Sequence, residues 1–217
     1  MVKIERTTAP PASLEIQKKL KYGSYSEPDV LRQLKVDFHG KCYLCELGPL
    51  SDVEVEHLRP HYGRKRKELV FDWNNLFYSC RHCNSMKKSS RYDDHILDCC
   101  IVDPEKRLEH RYVDGHVHIS AITEDVDTQL TAELIESCFE NTNTGVREIG
   151  CQTRINDLAG TMNTLYFSLA KYQKGKKARY FHSLRNQLSR GSKFAAFKRF
   201  YVRSHIADYP ELESLLN

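Results

Sequence analysis

Val53-Glu54-Val55-Glu56-His57-Leu58-Arg59-Pro60-His61 lies between two C-x-x-C pairs, Cys42-Tyr43-Leu44-Cys45 and Cys80-Arg81-His82-Cys83, and this arrangement decides how the chain is read. Thirty-four residues separate the pairs. Each pair can grip one ion from a tight turn. Two pairs complete a closed tetrahedral four-thiolate site, the pattern of structural zinc. Cys42, Cys45, Cys80 and Cys83 are the expected ligands, with His82 as the rival inside the second pair. Cys99, Cys100, Cys138 and Cys151 lack paired spacing and read as small buried apolar residues.

Working outward, Val53 to Glu56 alternates like a short strand, and Asn75 to Tyr78 is its expected partner. A short helix is expected from Cys80 to about Lys88. Upstream, Pro10-Pro11 marks an extended arm. Ser13 is the expected N-cap of a helix to about Lys21, and Glu27-Pro28 opens another that Gly40 ends. Downstream, Ile101 to Ile122 reads as a β-hairpin around Asp114-Gly115. Residues 128–207 read as mainly helical, with a break near 141–145. The expectation is an α+β chain in four segments. They are an arm with helices (1–40), a zinc-bound module (41–95), a hairpin connector (96–125) and a helical basic region (126–217).

The 217 residues are 40% apolar and 29% charged, which excludes a disordered tail, a collagen-like chain and a coiled-coil rod. No run of eighteen apolar residues is present, and the first residues lack the apolar centre of a secretion signal. The expected compartment is the cytoplasm, without membrane contact, where clustered cysteines mark a metal rather than disulfides. The net charge of +4 is uneven: residues 171–203 carry eleven Lys or Arg and no acid. That stretch reads either as a solvated amphipathic hairpin or as a surface for a polyanion or partner. A second cluster, Arg59, Arg64, Lys65, Arg66 and Lys67, flanks the histidine segment.

The order E-H-L-R-P at 56–60, N-L-F-Y-S-C-R-H-C-N at 75–84 and the following Lys87 resembles the HNH endonucleases, the ββα-metal group, in a zinc-stabilised form. By that resemblance His57 is the general base and Asn75 the residue that orients it. Glu56 and Asn84 would hold a catalytic Mg²⁺ or Mn²⁺. Glu stands where the family more often has Asp or His, which leaves Glu54 or His61 as substitutes. Arg59, Arg64, Lys65, Arg66, Lys67 and Lys87 would hold nucleic acid, DNA in the first instance and RNA as the alternative. The chemistry agrees: a neutral imidazole is a base at cellular pH, and sparse oxygen ligands suit Mg²⁺.

More narrowly, Pro10 to Leu14, Lys41 to Glu46, Asp72 to Cys80 and Ile96-Leu97-Asp98 look like the nuclease subunits of Septu-type anti-phage systems, some of them retron-associated. This implies an ATPase partner and, in retron versions, a reverse transcriptase with its RNA–DNA hybrid. Two other functions compete: a non-catalytic zinc module that binds nucleic acid or scaffolds a complex, and a stand-alone restriction or homing endonuclease.

Overall fold

In a computed structural model that describes residues 1–217, β1 (Val53–His57) and β2 (Leu76–Cys80) pair antiparallel, with Val53 opposite Cys80 and His57 opposite Leu76. β2 is buried along its whole length and runs straight into α4 (Arg81–Lys87). The junction is Cys80, whose sulfur accepts the Cys83 N–H at 3.5 Å and so caps the helix. The link from β1 to β2 holds a single turn, α3 (Lys67–Val70), and a 3₁₀ turn at Trp73–Asn75. Asn75 therefore precedes the second strand instead of opening it.

The N-terminal arm is extended, as its prolines require, yet it is not loose. Met1, Val2 and Ile4 are buried, and the Ile4 N–H donates to the Cys99 carbonyl at 2.9 Å. Arg6 lies over the Trp73 ring at 4.6 Å and donates to the Asn74 carbonyl at 3.0 Å. Two helices follow, α1 (Ala12–Lys18) and α2 (Pro28–Asp37). Ser13 is inside α1 rather than capping it, because its hydroxyl donates to Asp29 at 2.6 Å and ties the two helices together. Val30, Leu34 and Phe38 share the buried face that the sequence spacing implied, with Phe38 against Phe77 at 5.4 Å.

The hairpin is β3 (Leu108–Val113) and β4 (His116–Ala121). Asp114 and Gly115 have φ of +52° and +85°, the mirror-image turn that matches strand twist. α5 (Val126–Glu140) and α6 (Gly145–Gly175) flank the break at 141–144, with Asp125 and Thr144 as their caps. Lys176, at φ +45°, ends α6, and α7 (Ala178–Leu188) and α8 (Ala195–Ser204) complete the helical region. One apolar cluster of 45 residues, from Met1 to Leu216, runs through all four segments. No helix is long and apolar enough to cross a membrane.

The eleven cations of residues 171–203 do not form one charged surface. Arg190, Arg199 and Arg203 converge on Glu105 at 3.0, 2.6 and 3.1 Å. Lys193 pairs with Asp157, Lys176 with Glu211, and Lys198 is buried against the Ser192 hydroxyl. Acids from distant parts of the chain supply these partners, so a sum over a sequence window overstates the exposed charge. Lys171, Lys174, Lys177, Arg179 and Arg185 remain exposed and without ion pairs around the α6–α7 turn.

Burial would raise the Glu105 carboxyl, but Arg199 and then Arg203 more than reverse it, leaving its pKa below the ordinary carboxylate value of 4.5. The unfolded chain thus binds the extra proton. Glu105 stabilises the fold fully above the ordinary carboxylate pKa and loses that contribution as pH falls below it. Glu105→Gln is expected to cost about 3 kcal/mol near neutral pH, the usual result of stripping one partner from a buried pair. Urea unfolding should show the gap between wild type and variant narrowing in acid.

Candidate active site

Cys42, Cys45, Cys80 and Cys83 are fully buried and bring their sulfurs within 4.8 Å of one another. Four thiolates at ordinary Zn–S bond lengths form a tetrahedron with edges of roughly 3.8 Å. The Cys45 and Cys80 sulfurs are 4.0 Å apart. The donor set fits a closed structural zinc site. His82 is not a fifth candidate: its Nε2 lies 3.0 Å from the Cys138 carbonyl, turned toward the helical region. There it meets α6 so closely that a Cβ on Gly150 would come within 2.2 Å of its ring.

Arg154, on α6, was not singled out in the sequence. It is buried, and its Nη2 donates to the Cys80 sulfur at 2.9 Å while its Nη1 donates to the Gly150 carbonyl at 2.6 Å. Burial alone would lower its pKa, but the negative charge of the Cys45, Cys83 and Cys80 thiolates more than reverses that and favours the cation. A four-thiolate zinc would carry net negative charge, and this guanidinium is placed to be its buried counterion.

Beside this cluster, His57 at the end of β1 lines a cavity of about 440 Å³ with Glu56, Asn84, His61 and Lys88. The His57 Nε2 is 3.1 Å from the Val70 carbonyl. A carbonyl only accepts, so Nε2 carries the proton and Nδ1 keeps the basic lone pair. Burial lowers its pKa to about 4 despite the Val70 carbonyl, which keeps the ring neutral at cellular pH. The rings of Tyr25 and His61 meet it edge-on at 4.5 Å each.

Asn75 does not touch the imidazole. Its Oδ1 accepts the Arg59 N–H at 2.7 Å, and its Nδ2 donates to the carbonyls of Arg59 and Leu69 at 2.9 and 3.1 Å. The amide staples the two ends of the loop that leaves β1 and returns at Val70. It thereby fixes the carbonyl that holds His57.

Glu54 and Glu56 are two apart on a strand and share one face. That face meets α4, where Asn84 and Lys87 are three apart and also share a face. The result is a two-rung ladder. Asn84 Nδ2 donates to Glu54 Oε2 at 2.5 Å, and Lys87 Nζ lies 2.7 Å from Glu56 Oε1 and 3.0 Å from the His57 carbonyl. Lys87 is thus buried and paired with Glu56, and it lines the same cavity as His57. Its neighbour Lys88 lines the cavity too and is the exposed cation of the two.

The oxygens left over narrow the choice of cation ligand. Glu54 is engaged on both oxygens, by Arg81 at 3.2 Å and by Asn84. His61 Nδ1 accepts the Arg64 N–H at 3.0 Å, which uses its lone pair. Glu56 Oε2 and Asn84 Oδ1 have no partner within the protein. This sparse all-oxygen pair fits Mg²⁺ or Mn²⁺, which keep several waters.

The flanking basic cluster is dispersed. Arg64 donates to the Gly23 carbonyl at 2.7 Å, Arg66 pairs with Asp94 at 3.2 Å, and the Arg59 Nη1 is buried without a partner. Lys65 and Lys67 are exposed and free to meet a polyanion.

No family model and no solved structure matches the chain. The Septu protein PtuB of Bacillus mycoides is 31% identical over 87 residues, a match that spans 34% of this chain and 30% of that protein.

If the four sulfurs hold zinc, purified protein should carry about one equivalent by elemental analysis. Cys42→Ser or Cys80→Ser should yield an insoluble or unfolded core, since a four-thiolate site contributes on the order of 10 kcal/mol to folding of small zinc modules. A soluble, zinc-free variant with an unchanged melting curve would show that the metal is dispensable.

Proposed function

We propose that the chain is a metal-dependent endonuclease that hydrolyses nucleic-acid phosphodiester bonds, serving as the effector of a Septu-type anti-phage complex. The observation that carries the reading is His57. It is neutral, its proton is fixed on Nε2 by Val70, and it lines the same cavity as two uncommitted oxygens. The likeness to the Septu protein PtuB supports the defence setting.

In this mechanism His57 Nδ1 takes a proton from the water that attacks phosphorus, acting as general base. The Val70 carbonyl stabilises the imidazolium that forms, and Asn75 keeps that carbonyl in place through the loop. A divalent cation held by Glu56 Oε2 and Asn84 Oδ1 would stabilise the developing phosphate charge and the leaving oxygen. Lys87 pairs with the other oxygen of Glu56 and opposes the burial that pushes its pKa up. Lys88, Lys65 and Lys67 hold flanking phosphates. DNA is the first substrate to test and RNA the second. An ATPase subunit, and a reverse transcriptase with its RNA–DNA hybrid, are the partners to seek.

The Lys87–Glu56 pair also favours a second reading. An ammonium already answers the carboxylate, which suits a non-catalytic zinc module that binds nucleic acid.

Incubation with plasmid, single-stranded DNA and tRNA in Mg²⁺, with and without the partner ATPase, separates the two. His57→Ala should lower cleavage by about 10²-fold or more, with zinc content and melting temperature unchanged. Full cleavage by that variant would reject His57 as the base. Salt-sensitive binding without cutting in any divalent metal would favour the second reading.

A further inference from the structure

A second cleft, of about 350 Å³, is bounded by the end of α4, the end of α5 and the first turn of α6. Its polar wall is Ser85, Lys88, Ser89, Ser137, Asn141 and Arg147, and no carboxylate lines it. The hydrogen-bond state of these groups is lopsided. Ser89 Oγ accepts the Arg91 N–H at 3.4 Å, which leaves its own proton free. Asn141 Oδ1 accepts the Asn143 N–H at 3.3 Å, which leaves its amide protons free. Arg147 uses only Nη1, on Asn143 at 3.1 Å, and the Lys88 ammonium has no partner. Ser85 spends its proton on the His82 carbonyl at 2.7 Å, so the free donors are those of Ser89, Asn141, Arg147 and Lys88; with two positive charges and no carboxylate in the wall, they make the composition of an anion site.

Lys88 belongs to the walls of both this cleft and the His57 cavity. α4 presents Asn84 to the cavity and Ser85 to the cleft, with Ser89 joining Ser85 from just beyond the helix end. A strand with one phosphate at His57 can therefore pass over Lys88 and seat another in the cleft.

We propose that the cleft is a second phosphate subsite, holding a backbone phosphate of the nucleic-acid strand whose scissile phosphate lies at His57. It rests on the phosphodiesterase reading above, and it assigns α5 and α6 a direct part in substrate binding. Arg147 and Asn141 come from the helical region, so substrate is gripped between that region and the ββα unit.

The test is equilibrium binding of a fluorescently labelled single-stranded DNA oligonucleotide, with duplex DNA and RNA of the same sequence alongside. The full chain carries His57→Ala so that the probe stays intact. Lys88→Gln, Arg147→Gln and the pair are compared across a salt series, with zinc content and melting checked. Each substitution should weaken binding several-fold and lower the slope of log affinity against log salt by about one. An unchanged affinity and slope in the double variant would overturn the subsite, as would failure of the parent protein to bind any of the three probes. Inorganic phosphate that binds tightly by itself, without competing with oligonucleotide, would make the cleft a free-anion site and overturn the strand reading. If wild-type protein cuts nothing but the double variant still loses binding, the subsite stands and the nuclease reading falls.

Discussion

Cys80 does four things at once, and the rest of the site depends on their coincidence. It ends β2, opposite Val53, and it caps α4 through the Cys83 N–H. It supplies one of the four clustered sulfurs and accepts the buried Arg154. A five-residue strand pair and a seven-residue helix are too short to hold a mutual angle through their own hydrogen bonds. Closing the sulfurs of Cys80 and Cys83 onto those of Cys42 and Cys45 fixes that angle. Everything that faces the cavity is placed by it.

The fixed angle explains why the two-rung ladder between β1 and α4 works. Strand residues two apart and helix residues three apart rise by about 6.6 and 4.5 Å along their axes, close enough for two side-chain pairs to meet in register. Glu54 finds Asn84 and Glu56 finds Lys87. Rotation of α4 by one residue would bring Lys88 to Glu56 and remove the cation shared by the two cavities. Asn75 adds the second constraint, since its three bonds tie Arg59 to Leu69 and so close the long loop after His57.

The features legible in the sequence are those set by short-range chemistry. Two C-x-x-C pairs announce a four-sulfur cluster by spacing alone. Asp114-Gly115 specifies its turn, and Asn141 to Gly145 marks a helix boundary. What was not legible depends on helical phase or on distant partners. Lys87 and Lys88 are adjacent identical residues, and only the packing of α4 buries one against Glu56 and leaves the other exposed. Ser13 has the composition of a cap, but Asp29 offers its hydroxyl a better partner. The run from Lys171 to Arg203 contains no acid, yet Glu105, Asp157 and Glu211 neutralise much of it from elsewhere. Arg154 was invisible because an isolated arginine in a long helix carries no local signal that sulfur awaits it.

That arginine has a consequence for assembly. A guanidinium stripped of water is held far more firmly by metal-bound thiolates than by neutral thiols, so a zinc at the four sulfurs would also secure α6. Arg147 rides on the same helix two turns earlier and forms a wall of the second cleft. The shape of that cleft is thereby tied to the sulfur cluster, through one helix that carries a side chain to each.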